Sequence, residues 1–283
     1  MKLGAIIRLL RPHQWLKNLL LFFPPFLGGK MTDMSVLFHG ISPFVAFCLA
    51  SSATYVVNDI ADSGNDALHV QKRSRPIAAG EITPRTGYFL AFGLGIISLM
   101  MTLQLPRLFP CILISYMSLS IAYTFKLKNI VIVDIFCIAV FFLLRLEAGG
   151  IAFGVKLSEW LFLSVFLLAL FLSTGKRLCE RLHLGENAGD HRKALSEYPE
   201  GLLDGIMYMT AGAVLVTYTL YVISRHGMVY TVPLCCFGLL RYMYRVKTGR
   251  GGDPVYSMIQ DPLLCSVSCL WVLMVGFWVY FWK

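Results

Sequence analysis

Residues able to do chemistry concentrate in one stretch, Tyr55-Val-Val-Asn58-Asp59-Ile-Ala-Asp62-Ser-Gly-Asn65-Asp66. On a helix, Asn58, Asp62 and Asp66 stand at i, i+4 and i+8 and line one face, which Asp59 borders. Oxygen ligands without His or Cys suit a hard cation, Mg2+ rather than zinc. Mg2+ keeps waters and is commonly shared between one or two carboxylates and substrate phosphates. Three like charges within two turns repel unless something positive sits among them. Shortly downstream comes Lys72-Arg73-Ser-Arg75-Pro76-Ile-Ala-Ala-Gly80. Beside an acidic metal cluster this reads as a phosphate clamp, because a metal ion and guanidinium groups together neutralise a diphosphate. Asn58, Asp62 and Asp66 are thus candidate metal ligands. Arg73 and Arg75 are candidate substrate-binding residues.

The elements that must position these groups are membrane helices. Of 283 residues, 57% are apolar and 14% charged, which excludes a soluble globular enzyme and a disordered chain alike. Continuous apolar runs argue against a transmembrane barrel. Nine spans are expected, at about 14–29, 37–59, 85–104, 107–124, 130–153, 158–175, 202–224, 228–244 and 262–281. With the N-terminus in the cytoplasm and the C-terminus opposite, 19 of the 25 Lys and Arg residues fall on the cytoplasmic side and five on the other. That asymmetry supports both span count and orientation. The net charge of +9 then reflects basic loops against an anionic leaflet and anionic substrates, not nucleic acid. The eight cysteines lie mostly in apolar runs without a C-x-x-C pair and read as buried small hydrophobes. The chain is read as one polytopic domain, 1–283. Its long cytoplasmic loops, about 60–84 and 176–201, carry charges of both signs and are expected to cap a site.

Asn58-Asp59-x-x-Asp62-x-x-x-Asp66 followed by Arg75-Pro76-x-x-x-Gly80 resembles the UbiA family of intramembrane prenyltransferases. The resemblance extends over nearly the whole chain. It implies an all-helical bundle around a central cavity, an active site on the cytoplasmic side, Mg2+-dependent handling of a diphosphate, and a lateral opening for a lipid chain. Typical members carry a second Asp-rich motif after the sixth span. Here that place reads Ser173-Thr-Gly-Lys176-Arg177-Leu-Cys-Glu180, then Asp190-His191-Arg192-Lys193-Ala-Leu-Ser-Glu-Tyr198. This departure resembles a phosphoribosyl-transferring branch of the same family. So do Arg11-Pro12-His-Gln-Trp15-Leu-Lys17-Asn18, the stretch Tyr123–Lys128 with Asp134 downstream, Arg145-Leu-Glu-Ala-Gly149-Gly150, and Arg192-Lys193 with Tyr198.

The branch implies transfer of 5-phosphoribose from phosphoribosyl diphosphate to a polyprenyl phosphate in the inner membrane, for an envelope polysaccharide or another ribosylated lipid. Three phosphate-bearing groups and one Asp cluster demand surplus cations. Lys17, Lys126, Lys128, Lys176, Arg177, Arg192 and Lys193, with Tyr123 and Tyr198, are the expected substrate-binding set. Asp59, Asp62, Asp66 and Glu180 are the catalytic residues this implies, with Asp59 or Glu180 binding sugar hydroxyls or stabilising an oxocarbenium-like centre. A phosphate monoester is already largely dianionic near pH 7, its second pKa being about 6, so no catalytic triad is expected. Two other functions compete. A prenyltransferase acting on a quinone precursor would want Asp pairs in the second loop. A transporter would place charges at mid-bilayer, where only Arg145, Glu147 and Asp134 qualify.

Overall fold

The computed structural model describes residues 3–68, 72–184, 193–225 and 228–282. These residues are helical, joined by turns, with no strand among them. The chain divides into two compact units. One comprises residues 1–25, 30–128 and 144–156, the other residues 26–29, 129–143 and 157–283.

In the first unit a short amphipathic helix, α1 (Leu3–Leu10), buries Ala5 and Leu9 against Val56 and Ile60 of α3 (Met34–Ala61). Ile77, Ile82 and Ala91 complete that core. Between α1 and α3 run a 3-10 stretch, Pro12–Phe22, and the short α2 (Phe23–Leu27). A 3-10 helix of 11 residues is unusual, since such runs rarely exceed four. This one packs closely against α7 (Val133–Ala152) within the first unit. Gly149 of α7 lies so close to the 3-10 backbone that a Cβ there would fall 2.1 Å from the Leu21 carbonyl oxygen. The absence of a side chain at Gly149 lets two backbones touch. α4 (Ser63–Leu68), α5 (Pro84–Met100) and α6 (Leu108–Phe125) complete the unit. Thr83 caps α5 by accepting a hydrogen bond from the Thr86 N–H, and Phe47 packs edge-on against Phe109.

The second unit is built on α8 (Glu159–Leu184) packed along α10 (Leu202–Ile223), with the five-residue α9 (Lys193–Glu197) between them in sequence. Its core joins Phe171, Leu178 and Cys179 to Tyr198, Leu203 and Met207, and to Tyr242 and Val246 of α11 (Val232–Lys247). Gly175 admits the Tyr242 ring, which a Cβ would meet at 2.6 Å. Asp253 and Asp261 cap α12 (Pro254–Gln260) and α13 (Pro262–Tyr280).

Seven helices among the described residues are long and apolar enough to cross a membrane: 38–61, 84–104, 108–125, 133–152, 159–183, 202–223 and 262–280. Their outer faces expose Phe89, Phe92, Leu103 and Phe277, as lipid-facing surfaces do. The expected spans at 14–29 and 228–244 correspond to shorter helical pieces. Two charged stretches expected as loops are instead partly helical. Asp62 and Asp66 continue the helical hydrogen-bond register beyond α3, through Asp62 N–H to Asn58 O and Asp66 N–H to Asp62 O. α8 runs on to Leu184 because Leu178 and Cys179 stay in the core and Arg177 pairs with Glu180 one turn away.

Candidate functional site

The end of α3 and the start of α4 deliver the acidic cluster as the spacing requires. Unbroken helical register from Asn58 to Asp66 keeps Asn58, Asp62 and Asp66 on one face. Asn58 Nδ2 donates to Asp62 Oδ2 at 3.1 Å, and Thr124 of α6 donates to Asn58 Oδ1 at 3.3 Å. Three cations meet the three acids. Lys128 pairs with Asp62, Arg75 with both Asp66 and Asp59, and Arg11 with Asp59. Asp59 and Asp66 are buried, Asp62 half-buried. The carboxylates of Asp59, Asp62 and Asp66 are thus matched one for one, which removes the repulsion their spacing would create. Burial pulls the Arg11 guanidinium below its ordinary pKa, against the opposing pull of the Asp59 carboxylate.

Arg75 is held in a local turn, its N–H bonded to Lys72 O. Ala79 N–H bonds to Arg75 O, and Gly80, at φ +72°, closes the turn. Of the other expected residues around this cluster, Arg73 and Lys126 are exposed and Lys17 and Tyr123 half-buried.

A second polar cluster lies wholly within the second unit. Arg177 is buried; its Nε donates to Asp134 Oδ2 at 2.8 Å and its NH1 to Glu180 Oε2 at 2.6 Å. Tyr198 donates to Asp134 Oδ1 at 2.6 Å and accepts from the Ile132 N–H at 2.8 Å. Burial, then the hydrogen bond to the Asp134 carboxylate, pushes the Tyr198 phenol far above its usual pKa. Ile132 has φ +68°, which a β-branched residue rarely adopts. Lys176, more exposed, lies 4.0 Å from Asp253. Arg192 and the side chain of Lys193 fall outside the described residues.

Sequence reading missed Arg11, Thr124 and Asp134 as members of these clusters. Arg11-Pro12 echoes Arg75-Pro76, and Asp134 is an acid inside an apolar run, a costly placement that marks a paired group.

The family model for the UbiA prenyltransferase family matches residues 31–259. Decaprenyl-phosphate phosphoribosyltransferase of Mycobacterium tuberculosis is 34% identical over 96% of this chain and 93% of its own length. The enzyme of the same name from Corynebacterium glutamicum is 33% identical over 98% and 87%. The chain belongs to the UbiA prenyltransferase family. Its fold is that of a UbiA homolog from Archaeoglobus fulgidus bound to DMAPP and Mg2+ (TM-score 0.76, 19% identity, 97% of this chain and 98% of that one).

The donors of the first cluster are of the type a hard divalent cation takes. They are carboxylate and amide oxygens only. Among the described residues, no group of three His, Cys, Asp or Glu could by itself hold an ion. An ion seated by one or two carboxylates and completed by water and substrate phosphates needs no such enclosure.

Proposed function

We propose that this chain transfers 5-phosphoribose from phosphoribosyl diphosphate to a polyprenyl phosphate, with Mg2+, on the cytoplasmic side of a cell membrane, releasing diphosphate. The observation that carries this reading is the near full-length likeness to enzymes named for that reaction. The chemistry at the end of α8 agrees with it. A donor held by two metal clusters would want free carboxylates there. The segment instead carries Lys176, while Arg177 engages both Asp134 and Glu180.

Asn58, Asp62 and Asp66 would hold the metal ion, which when bound supplies positive charge to the leaving diphosphate. Arg75 and Lys128, already beside those acids, add charge-assisted hydrogen bonds to phosphoryl oxygens. The C1–O bond to diphosphate breaks and a C1–O bond to the lipid phosphate forms. The nucleophile needs no base, so the protein's work is positioning and charge neutralisation. Asp59 is engaged by Arg11 and Arg75, and Glu180 by Arg177, in keeping with a reaction that needs no base.

The topology belongs to the same proposal. Pro12–Leu27 combines 11 residues of 3-10 helix with five of α-helix. At roughly 2.0 and 1.5 Å per residue it is about 30 Å long, enough to cross the hydrocarbon core. The 3-10 turn Met228–Thr231 with α11 reaches about 32 Å by the same arithmetic. Both would then cross, making nine spans and leaving the acidic cluster on the Lys/Arg-rich side.

The test is to reconstitute the full chain with labelled phosphoribosyl diphosphate, Mg2+ and polyprenyl phosphate. Label should pass into a chloroform-soluble product. No transfer, together with alkylation of an aromatic acceptor from a prenyl diphosphate, would replace this reading with prenyl transfer.

A further inference from the structure

We propose that Arg11 is a donor-binding residue, one arm of a two-arginine phosphate clamp whose other arm is Arg75 and whose shared anchor is Asp59; this rests on the phosphoribosyl-transfer reading. Arg11 has a left-handed backbone, φ +52° and ψ +58°, a conformation that non-glycine residues rarely hold without surrounding support. The support is visible. Trp15 Nε1 donates to Ser52 Oγ at 3.0 Å, and Ser52 Oγ donates to the carbonyl of Leu10, the residue before Arg11. The Gln14 N–H bonds to the Arg11 carbonyl. Asn18 Nδ2 donates to Ser51 Oγ, and Arg145 Nε donates to Asn18 Oδ1. An N-terminal stretch is thus fastened to α3, the helix that carries the acids, and delivers a cation to them.

The way that cation is held points to a ligand. Arg11 ends on Asp59 Oδ1 and lies over the Tyr55 ring, 5.5 Å from its centre. Arg75 reaches the same Oδ1 at 3.3 Å. Asp59 Oδ2 is buried and has no hydrogen-bond partner among the described residues. Arg–carboxylate pairs are frequently two-oxygen forks. Here two guanidiniums crowd one oxygen. Arg11 gives Asp59 one of its five N–H donors and most of the rest stay unengaged among the described residues. Its side chain is only 17% exposed. A largely desolvated guanidinium with spare donors, next to the proposed metal ligands, is matched by phosphoryl oxygens. Arg75 bridges Asp59 to Asp66, so the anion the clamp meets is the one carried at the metal, the donor's diphosphate. Asp59 acts through both arginines and is their positioning residue.

The experiment uses the purified full chain in detergent with Mg2+. It measures KM for both substrates, kcat, and calorimetric binding of inorganic diphosphate. Arg11→Ala should raise the donor KM and weaken diphosphate binding by about tenfold or more, with the polyprenyl-phosphate KM unchanged. Unchanged donor KM and diphosphate binding, or an equal rise in both KM values, would overturn the proposal. If Arg11→Ala does not fold, Arg11→Lys decides, since it keeps the charge beside Asp59 and loses the fork. A severalfold rise in donor KM with weaker diphosphate binding supports the clamp, and wild-type values overturn it. Asp59→Asn should reproduce the donor defect, and a wild-type donor KM there would refute the shared anchor. Wild-type protein that binds diphosphate but makes no phosphoribosyl lipid would defeat the transfer reading, and the diphosphate titrations of the Arg11 variants would still decide the clamp.

Discussion

Tyr198→Phe removes one oxygen atom and two hydrogen bonds. Tyr198 is 2% exposed, and its hydroxyl sits between the Asp134 carboxylate and the N–H of Ile132. Phenylalanine fills the same apolar space, so packing in the core with Leu203 and Met207 is retained. What is lost is one hydrogen bond to a buried charge and the satisfaction of an N–H at a left-handed, β-branched residue. The stranded N–H costs about 1–3 kcal/mol and the lost bond to Asp134, which Arg177 still holds, about 1 kcal/mol more, so about 2–4 kcal/mol is expected in total. At roughly 2–4 °C per kcal/mol for a chain of this size, the midpoint should fall by about 5–15 °C. Thermal unfolding in detergent, followed by tryptophan fluorescence, measures this. Folded-state pKa elevation adds a pH signature. A phenol raised above its unfolded value contributes stability that is complete below the unfolded pKa, about 10, and lost only as pH rises through the folded value. The difference between wild type and Tyr198→Phe should therefore be level from pH 7 to 9. A double-mutant cycle with Asp134→Asn should show coupling of at least about 1 kcal/mol. A fall below about 1 kcal/mol, or additive effects in the cycle, would refute the assigned hydrogen bonds.

Three further outcomes are expected. Asp62→Asn and Asp66→Asn should each cut kcat by about 100-fold or more while folded yield is kept, and EDTA should silence the wild type; turnover undiminished by either change would contradict metal binding at this face. Arg177→Met should cost about 3–5 kcal/mol, because it strands the buried Asp134 carboxylate, whereas Lys176→Met should raise a substrate KM with little change in melting; the reverse pattern would return Arg177 to the role of free phosphate ligand. Gly149→Ala should lower folded yield sharply, since its Cβ would overlap the Leu21 carbonyl, and a normal melting curve would show that the 3-10 stretch is not pressed on α7.

Local patterns were legible before any tertiary contact was known. The i, i+4, i+8 spacing of Asn58, Asp62 and Asp66 is a property of one helical stretch, and the structure keeps that register where α3 passes into α4. The seven long apolar helices were legible for the same reason, since a bilayer selects length and composition. The packing of Pro12–Phe22 was not, because the residue that touches its backbone, Gly149, lies 127 positions beyond Phe22.

Residue types and spacing alone determined the membrane class and the acidic face. Partner choice was decided only by folding. Arg11 finds Asp59 across 48 positions, and Arg177 and Tyr198 find Asp134 across 43 and 64. Such pairings follow from which helices pack together, and no local periodicity encodes that. They also separate two arginines that look alike in sequence: Arg11, held end-on with donors to spare, and Arg177, sunk between two carboxylates.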